Sequence, residues 1–327
     1  MSQEGAPPFL EDHKLSDPFE DQFAKTEKFK VAGGTAEVFD IRPETADAEL
    51  PVLLAQGWGM TAEVNKPALK VMAGENRRAI FLNHPRIGWN IDESLENLGI
   101  SKDKASQYPV ESLRRALNIL EVLDKKGIEK ADVVACSFGA SDIEIAAELK
   151  PEKFRTLILV GPAGMIGEDS YMRLSKGFLG QRQRAGTLKG QAPDPTKMIG
   201  GRPEIPLSET EREVAASAAK EAAIYSLKNP ARSLREIWEI KKSQIHERLR
   251  ELHTRGIGIG IISGVDDPVF PQDKINEIAK ADMLDGYLSV RGGHGAVMEH
   301  PELYMKVALN MAKAIAEKKE REKVDQG

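Results

Sequence analysis

The sequence predicts an α/β fold in which a mostly parallel central sheet carries helices on both faces and an inserted helical cap. Two observations indicate this architecture. Short apolar runs of strand type alternate with stretches of helical periodicity over most of the 327 residues. The alternation stops between residues 161 and 256, which contain helical segments and no convincing strand. We therefore predict a core formed by residues 28–165 and 256–327, with a cap at 166–255.

The N-terminal part combines an arm with a hairpin. Residues 1–27 are polar, acidic and proline-containing, and we expect them to form a flexible arm. Residues 28–41 predict a β-hairpin, because two strand-like segments flank the turn residues Gly33 and Gly34. The core sheet thus begins with an antiparallel pair.

The elements that follow have the lengths and periodicities of buried strands and amphipathic helices. Strands covered on both faces form continuous apolar runs, whereas covering helices carry an apolar stripe, as Leu113, Leu117 and Leu120 do. In chain order we predict a strand at 51–55, a helix at 62–72, a strand at 78–82, helices at 110–123 and 138–149 on either side of a strand at 132–134, strands at 157–160, 257–262 and 287–290, and a helix after Pro301.

The insertion contains two predicted helices and a Gly/Pro-rich segment. The first helix opens at Ser208, whose side chain forms a capping box with that of Glu211. The second carries an apolar stripe and is bounded by Pro230 and Gly256. Residues 181–206 are rich in glycine and proline, and we expect them to be the most mobile part of the cap.

Composition and charge exclude several classes of protein. The 46 basic and 51 acidic residues give a formal net charge of −5, so the chain has no electrostatic reason to bind nucleic acid. The single cysteine excludes a disulfide framework and a cysteine-based zinc or iron–sulfur site, and the six histidines form no metal-binding pattern. No apolar run approaches the roughly 20 residues that span a bilayer, and we expect no signal peptide. These features predict a cytoplasmic protein without a bound metal.

A serine follows the predicted strand at 132–134, at the point where a helix begins. Ala135 and Gly139 lie two residues before and two residues after Ser137. A nucleophile on a sharp strand-to-helix turn adopts strained backbone angles, and small residues at these two positions let the strand and the helix pack closely. The turn also exposes the hydroxyl and aims the helix N-terminus at developing negative charge. A helix-capping serine fits the same pattern, so the interpretation depends on finding a base and an acid.

Candidates for the base and the acid follow later predicted strands. Asp267 lies just beyond the next-to-last strand, and His294 lies in a glycine-rich loop after the last one. Loops at the carboxyl ends of parallel strands meet at the edge where open α/β sheets bind ligands. The chain order Ser, Asp, His therefore indicates a nucleophile, an orienting acid and a base. Asp266 is equally plausible by composition, but we favour Asp267 because Pro268 biases its backbone to an extended conformation.

These motifs resemble the α/β-hydrolase fold superfamily, and the resemblance extends from about Phe29 to the C-terminal helix. The matching segments are Leu54-Ala55-Gln56-Gly57-Trp58-Gly59, Ala135-Cys136-Ser137-Phe138-Gly139, Gly264-Val265-Asp266-Asp267-Pro268, and Gly293-His294 followed by Glu299-His300-Pro301-Glu302. The resemblance implies that Ser137 is the nucleophile, His294 the general base and acid, and Asp267 the orienting carboxylate. It also implies that the reaction needs no cofactor.

The resemblance extends to the loop after the strand at 51–55. The backbone N–H groups of Trp58 and Phe138 resemble the two oxyanion-hole donors, and Gln56, Gly57 and Trp58 resemble substrate contacts. Two positions depart from the family pattern, since Gln56 stands where histidine is usual and Ala135 where glycine is usual. Alanine is small enough to keep the turn. Glutamine in place of histidine at position 56 indicates either a different substrate or a shifted oxyanion loop.

Cys136 is a competing nucleophile, because thiols react better than hydroxyls at neutral pH. A cysteine nucleophile would need small residues two positions away on each side, but Val134 and Phe138 occupy those positions. The spacing therefore favours Ser137. The serine also distinguishes the chain from dehalogenases and epoxide hydrolases, which resemble it but carry aspartate at this turn.

The sequence thus predicts a serine hydrolase that cleaves a carboxylic ester or a related acyl bond of a small molecule. Trp238, Tyr225 and several cap alanines, beside Trp58, indicate a medium-sized apolar acyl or alcohol group. A C–C bond hydrolase, a lysophospholipase and an acyltransferase remain alternative functions, since the same fold carries all three. A non-catalytic small-molecule receptor is the alternative from another class, although its usual signature is loss of a triad residue. The oligomeric state is left open.

Overall fold

The computed structural model describes residues 18–31, 34–45, 49–86, 88, 90–184, 198–199, 202–203, 209–279 and 283–325. The strands in this part of the chain are β1 (Glu27–Val31), β2 (Gly34–Ile41), β3 (Val52–Ala55), β4 (Ala79–Asn83), β5 (Ala131–Cys136), β6 (Phe154–Val160), β7 (Met198–Ile199), β8 (Arg202–Pro203), β9 (Gly258–Gly264) and β10 (Gly286–Val290). The α-helices are α1 (Glu20–Ala24), α2 (Ala62–Gly74), α3 (Ile91–Leu98), α4 (Lys102–Ala105), α5 (Val110–Lys125), α6 (Gly139–Leu149), α7 (Tyr171–Arg184), α8 (Glu209–Lys228), α9 (Pro230–Lys242), α10 (His246–Thr254), α11 (Gln272–Ile278), α12 (Ala296–Glu299) and α13 (Pro301–Asp325). Helices α1, α3, α4, α7, α11 and α12 and strands β7 and β8 add to the elements predicted from the sequence.

The central sheet has eight strands in the described residues, in the order β1-β2-β4-β3-β5-β6-β9-β10. The β1–β2 hairpin and the β2–β4 pair are antiparallel, and the other pairs are parallel. Every residue of β3 and of β9 is buried, as expected for strands that are covered on both faces. The predicted fold class is confirmed.

The core consists of two apolar layers, one on each face of the sheet. Helices α5, α6 and α10 contribute fully buried side chains to one layer, including Leu117, Ile143 and Leu249. Helices α2 and α13 contribute Leu69 and Ala308 to the other. Each fully buried leucine stabilises the fold by about 2 kcal/mol. The helical stripes in the sequence therefore face the sheet.

The prediction of a flexible arm at 1–27 is wrong for its last residues. The arm ends in α1, and Phe23 of this helix is 8% exposed. The Phe23 ring lies 6.3 Å from the ring of Phe39, centroid to centroid, and the Glu20 carboxylate is paired with two lysines of α2. The Phe23 side chain, although it lies in a polar segment, thus packs on the apolar surface of the core. Residues 1–17 lie outside the described residues.

The described residues between β6 and β9 form four helices, α7 to α10, and one short pair of strands. The antiparallel pair of β7 and β8 corrects the expectation of an insertion without strands. Most of the stretch predicted to be mobile, at 185–197, 200–201 and 204–206, lies outside the described residues, as does the predicted capping residue Ser208.

The single helix predicted in the second half of the cap is instead two helices, α9 and α10. Two contacts hold the break between them: the hydroxyls of Ser243 and Ser141 lie 2.7 Å apart, and the Ile245 N–H donates to the Gly164 carbonyl at 3.1 Å. Helix α10 then packs on α6, where its Leu249 is fully buried. Since α10 belongs to the core packing, we use "cap" for α7, α8 and α9.

Candidate active site

Ser137 lies on a sharp turn between β5 and α6. Its φ angle is +51°, in the left-handed region, which costs a residue with a Cβ about 1–2 kcal/mol. Hydrogen bonds hold this conformation: the Ser137 N–H donates to the Val160 carbonyl at 3.0 Å, and the Ser137 carbonyl accepts from the N–H groups of Ala140 and Ala163 at 3.1 Å each. Such strain persists where the surrounding bonds determine the backbone, and it is concentrated at functional sites.

The two small residues that flank Ser137 have different reasons to be small. A Cβ at Gly139 would lie 2.5 Å from the Ala55 carbonyl oxygen and 2.7 Å from that of Gln56. Both contacts are with backbone, so only glycine fits. Ala135 is fully buried, and its methyl group packs in the core layer under α5 and α6. Alanine in place of the usual glycine therefore leaves the turn intact.

Three side chains from the ends of β5, β9 and β10 form one chain of hydrogen bonds. His294 Nε2 lies 3.0 Å from the Oγ of Ser137, and His294 Nδ1 lies 2.9 Å from Oδ2 of Asp267. The other carboxylate oxygen of Asp267 accepts from the N–H groups of Val269 and Phe270 at 2.7 and 2.9 Å. Asp267 is only 6% exposed, which strengthens its interaction with the imidazole. This carboxylate can fix both the orientation and the tautomer of the ring.

Gly161 supports this chain of hydrogen bonds, and sequence reasoning misses it. It follows β6 and has a φ of +50°. A Cβ at this position would lie 3.1 Å from Asp267 Oδ2 and 3.5 Å from His294 Nδ1. A side chain here would press on the bond between the acid and the base. The only signal in the sequence is a glycine directly after a predicted strand.

The cap contacts the loop that carries His294. The His294 ring meets the Phe270 and Phe178 rings edge-on, with centroids 5.1 and 6.0 Å away. The backbone N–H of His294 donates to Gln181 Oε1 at 3.1 Å, and the side-chain amide of Gln181 donates to the Glu299 carboxylate at 3.1 Å. Phe178 and Gln181 lie on α7 and were not predicted as site residues. Gln181 was expected to begin the mobile part of the cap, but it is held against the histidine loop.

The predicted oxyanion-hole donors lie beside Ser137. Trp58 and Gly57 border the same small cavity as Ser137, and Phe138 is the residue that follows the serine. Among the described residues, neither the Trp58 N–H nor the Phe138 N–H has a hydrogen-bond acceptor. Two uncommitted N–H groups near a nucleophile are free to bind an oxygen that gains negative charge.

Gln56 does not lie where the resemblance implies. It is 4% exposed and borders neither of the two cavities at the candidate site. Its side-chain amide donates to the Leu82 carbonyl at 3.3 Å, and its backbone carbonyl accepts from the Arg115 guanidinium at 3.3 Å. The expectation of a substrate contact at Gln56 is therefore wrong, because its side chain points into the core. It supports the loop that carries Gly57 and Trp58.

A buried carboxylate on the cap accepts a hydrogen bond from the Trp58 side chain. The carboxylate of Glu236, on α9, is fully buried and accepts from Trp58 Nε1 at 3.1 Å, from Arg86 Nη1 at 2.9 Å and from the Tyr225 hydroxyl at 2.8 Å. Burial raises the pKa of Tyr225 to about 12, so this hydroxyl remains a donor. The Arg86 guanidinium also stacks on the Tyr225 ring, 3.6 Å from its centroid. The cap and the predicted oxyanion loop are thus joined by a buried polar network centred on Glu236.

Cys136 borders the small cavity beside Ser137. Burial raises the pKa of its thiol to about 12. Because the thiolate is the reactive form, Cys136 is a poor nucleophile near neutral pH. This agrees with the register argument in favour of Ser137.

In the described part of the chain, two cavities meet at the candidate site. The smaller one, of about 90 Å³, is bordered by Ser137 and Val160, and the larger one, of about 460 Å³, lies between the α7 and α8 helices of the cap and the loop of His294. Trp58, Met60, Phe178, His294 and Met298 border both. Their walls are mainly apolar, as is usual for small-molecule sites.

The described residues contain no group of three or more His, Cys, Asp or Glu side chains that could share a metal ion. None of their helices combines the length and the apolar character that crossing a membrane requires. The predicted lack of a metal remains a prediction for the whole chain.

Comparisons with known proteins identify the fold. No protein-family model and no curated protein matches the chain. A carboxylesterase from the thaumarchaeon Nitrososphaera gargenis is similar in structure, with a TM-score of 0.59 and 14% identity over 89% of this chain and 100% of that one. An enol-lactonase from Burkholderia xenovorans has a TM-score of 0.58 and 14% identity over 88% and 100% of the two chains. A meta-cleavage product hydrolase has a TM-score of 0.53 and 17% identity over 88% and 98%. The chain therefore has the α/β-hydrolase fold.

Proposed function

We propose that the protein is a serine hydrolase that cleaves carboxylic esters or related acyl bonds through an acyl-enzyme on Ser137. The observation that carries the proposal is the continuous chain of hydrogen bonds from Asp267 through His294 to a serine with a φ of +51°. The fold alone would not justify it, because one fold supports many chemistries. The geometry of the site is what favours acyl transfer.

In the proposed reaction, Ser137 Oγ attacks the carbonyl carbon while His294 Nε2 takes the serine proton. Asp267 stabilises the imidazolium that forms. The N–H groups of Trp58 and Phe138 hold the oxyanion, and each such donor contributes on the order of 10²–10³ in kcat. The bond to the leaving alcohol then breaks, and His294 gives the proton to that oxygen. A water molecule, activated by His294, releases the acyl group from the serine.

Labelling with a fluorophosphonate, combined with hydrolysis of p-nitrophenyl acetate, tests the proposal. We expect the probe to modify Ser137, as shown by peptide mapping. Ser137→Ala should lose the label and lower kcat by on the order of 10⁶, since the triad acts as a unit. Labelling that persists in Ser137→Ala but disappears in Cys136→Ala would contradict the proposal.

The same assay separates the enzyme from a receptor on this scaffold. A receptor would bind apolar ligands in the cavities but would turn over no faster than the Ser137→Ala variant. Turnover well above that variant supports the enzyme. Activity on simple oxygen esters, compared with activity on C–C substrates, on a lysophospholipid and with transfer to added alcohols, separates the three enzymatic alternatives.

A further inference from the structure

The two cavities differ fivefold in volume, and they border different members of the candidate triad. Ser137 borders the cavity of about 90 Å³ and not the one of about 460 Å³, whereas His294 borders both. Gly57 also borders only the smaller cavity. The nucleophile therefore opens into a small space, and the base is the triad residue that opens into a large one.

The proposed acyl transfer assigns one half of an ester to each cavity. When Ser137 Oγ bonds to the carbonyl carbon, the acyl chain becomes attached to Ser137 and must lie in a cavity that this serine borders. When the carbon–oxygen bond of the ester breaks, the leaving oxygen takes its proton from His294 Nε2. The alcohol half must therefore extend along the imidazole, where the larger cavity lies.

Size limits the acyl half. The smaller cavity offers only about one fifth of the volume of the larger one. Its walls include Cys136, Val160 and Val297, of which Val160 and Val297 are at least nine-tenths buried. This space therefore favours a short acyl chain over a long one.

The larger cavity suits an apolar alcohol of many more atoms. One wall is a row of alanines on α8, namely Ala215, Ala218, Ala219 and Ala222. The polar side chains of Gln181 and Glu299 also border it and are hydrogen-bonded to each other at 3.1 Å. Paired polar groups do not require a polar ligand, so the cavity favours an alkyl or aryl group.

We infer that the substrates are esters of a short acyl group with a large apolar alcohol. This inference rests on the proposed function, and two isomeric esters test the two separately. Hexyl acetate places six carbons on the alcohol, and ethyl hexanoate places six carbons on the acyl group. We expect kcat/KM to be at least tenfold higher for hexyl acetate, because one misplaced methylene already costs about tenfold or more. Equal rates, or a preference for ethyl hexanoate, would overturn the inference and leave the hydrolase intact. No hydrolysis of either ester, together with no fluorophosphonate labelling, would overturn the proposed function itself.

Two variants on α8 test the assignment of the larger cavity. Ala219→Phe fills this cavity and should lower the preference for hexyl acetate over ethyl acetate at least tenfold. Ala223→Phe is the matched control, because residue 223 is exposed on the same helix and borders neither cavity. It should keep the ratio of the unmodified protein. An equal loss of that preference in both variants would overturn the assignment.

A third variant tests the smaller cavity from the other side. Val297→Ala removes two methyl-sized groups from its wall and should raise kcat/KM for ethyl hexanoate relative to hexyl acetate. The ratio is independent of how much protein folds, so a loss of stability does not obscure it. An unchanged ratio would overturn the assignment of the acyl chain to this cavity.

Discussion

Replacing Ser137 by glycine should give a more stable protein than replacing it by alanine, although both variants lose the same hydroxyl. Each loses the 3.0 Å hydrogen bond to His294, so that loss cancels between them. The φ of +51° costs alanine about 1–2 kcal/mol and costs glycine almost nothing. Glycine loses about 0.4–1 kcal/mol of this advantage, because the unfolded chain has more conformational entropy with glycine than with alanine. We expect Ser137→Gly to exceed Ser137→Ala by about 1 kcal/mol in the free energy of unfolding.

A serine in a regular helix supplies the control. Ser217 is exposed in the middle of α8, where backbone angles are helical and glycine costs about 1 kcal/mol relative to alanine. The order of the two variants should therefore reverse at Ser217, with alanine the more stable.

Equilibrium unfolding in urea, followed by circular dichroism, measures all four variants. Opposite signs at the two positions are the expected result, with equal m-values. If Ser137→Gly is less stable than Ser137→Ala, as at Ser217, then the serine is not held in a strained conformation, and the argument from the turn fails.

Three other predictions follow from single residues. Asp267→Asn should lower kcat on p-nitrophenyl acetate by on the order of 10⁴, whereas Asp266→Asn should cost less than about tenfold; equal losses would show that the wrong aspartate is assigned. Burial alone would raise the pKa of Asp40, but hydrogen bonds from Arg78 and a lysine outweigh it and lower the pKa from 3.8 to about 2. The contribution of these hydrogen bonds to the free energy of unfolding is present above pH 3.8 and is lost as the pH falls toward 2. Asp40→Asn should therefore lower the free energy of unfolding by about 2 kcal/mol at pH 7 and by roughly half of that at pH 3. A penalty independent of pH would contradict the assignment. Because burial raises the pKa of Cys136 to about 12, iodoacetamide at pH 8 should alkylate it more slowly than free cysteine by on the order of 10³; a comparable rate would contradict this.

The residues proposed as a triad could be found in the sequence because each has a local signal. Ser137 has small neighbours at the end of an apolar run, Asp267 precedes a proline, and His294 stands among glycines. The rule that parallel strands end at one edge of a sheet then brings them together. No distance information was needed to group these three residues.

The contacts between the cap and the site could not be predicted in this way. Gln181 contacts His294 across 113 residues of sequence, and Glu236 contacts Trp58 across 178. Glutamate is seldom fully buried without partners, so its pattern in a sequence indicates an exposed position. Only the folded chain brings an arginine, a tyrosine and a tryptophan to the same carboxylate. Gln56 was misassigned for the same reason, because its neighbours in the core are distant in sequence.

Helix α3 was missed although its ends carry clear signals. The Asn90 side chain accepts from the Glu93 N–H at 3.2 Å and donates to the Glu93 carboxylate at 2.7 Å. At the other end, Gly99 adopts a φ of +64°, as is usual after a helix. The capping pattern Asn-x-x-Glu followed by glycine was therefore visible, and the short apolar stripe of the helix concealed it.

The mass of the protein during turnover tests the central claim most directly. When the protein is mixed with p-nitrophenyl acetate and quenched in acid within the first turnover, intact-mass spectrometry should detect one added acetyl group. Peptide mapping should locate it on Ser137. The same experiment on His294→Ala should give no acetylation on this timescale, since the serine then lacks its base. An acetyl group on another residue, or a first turnover that releases p-nitrophenol without any acetylated protein, would contradict the account.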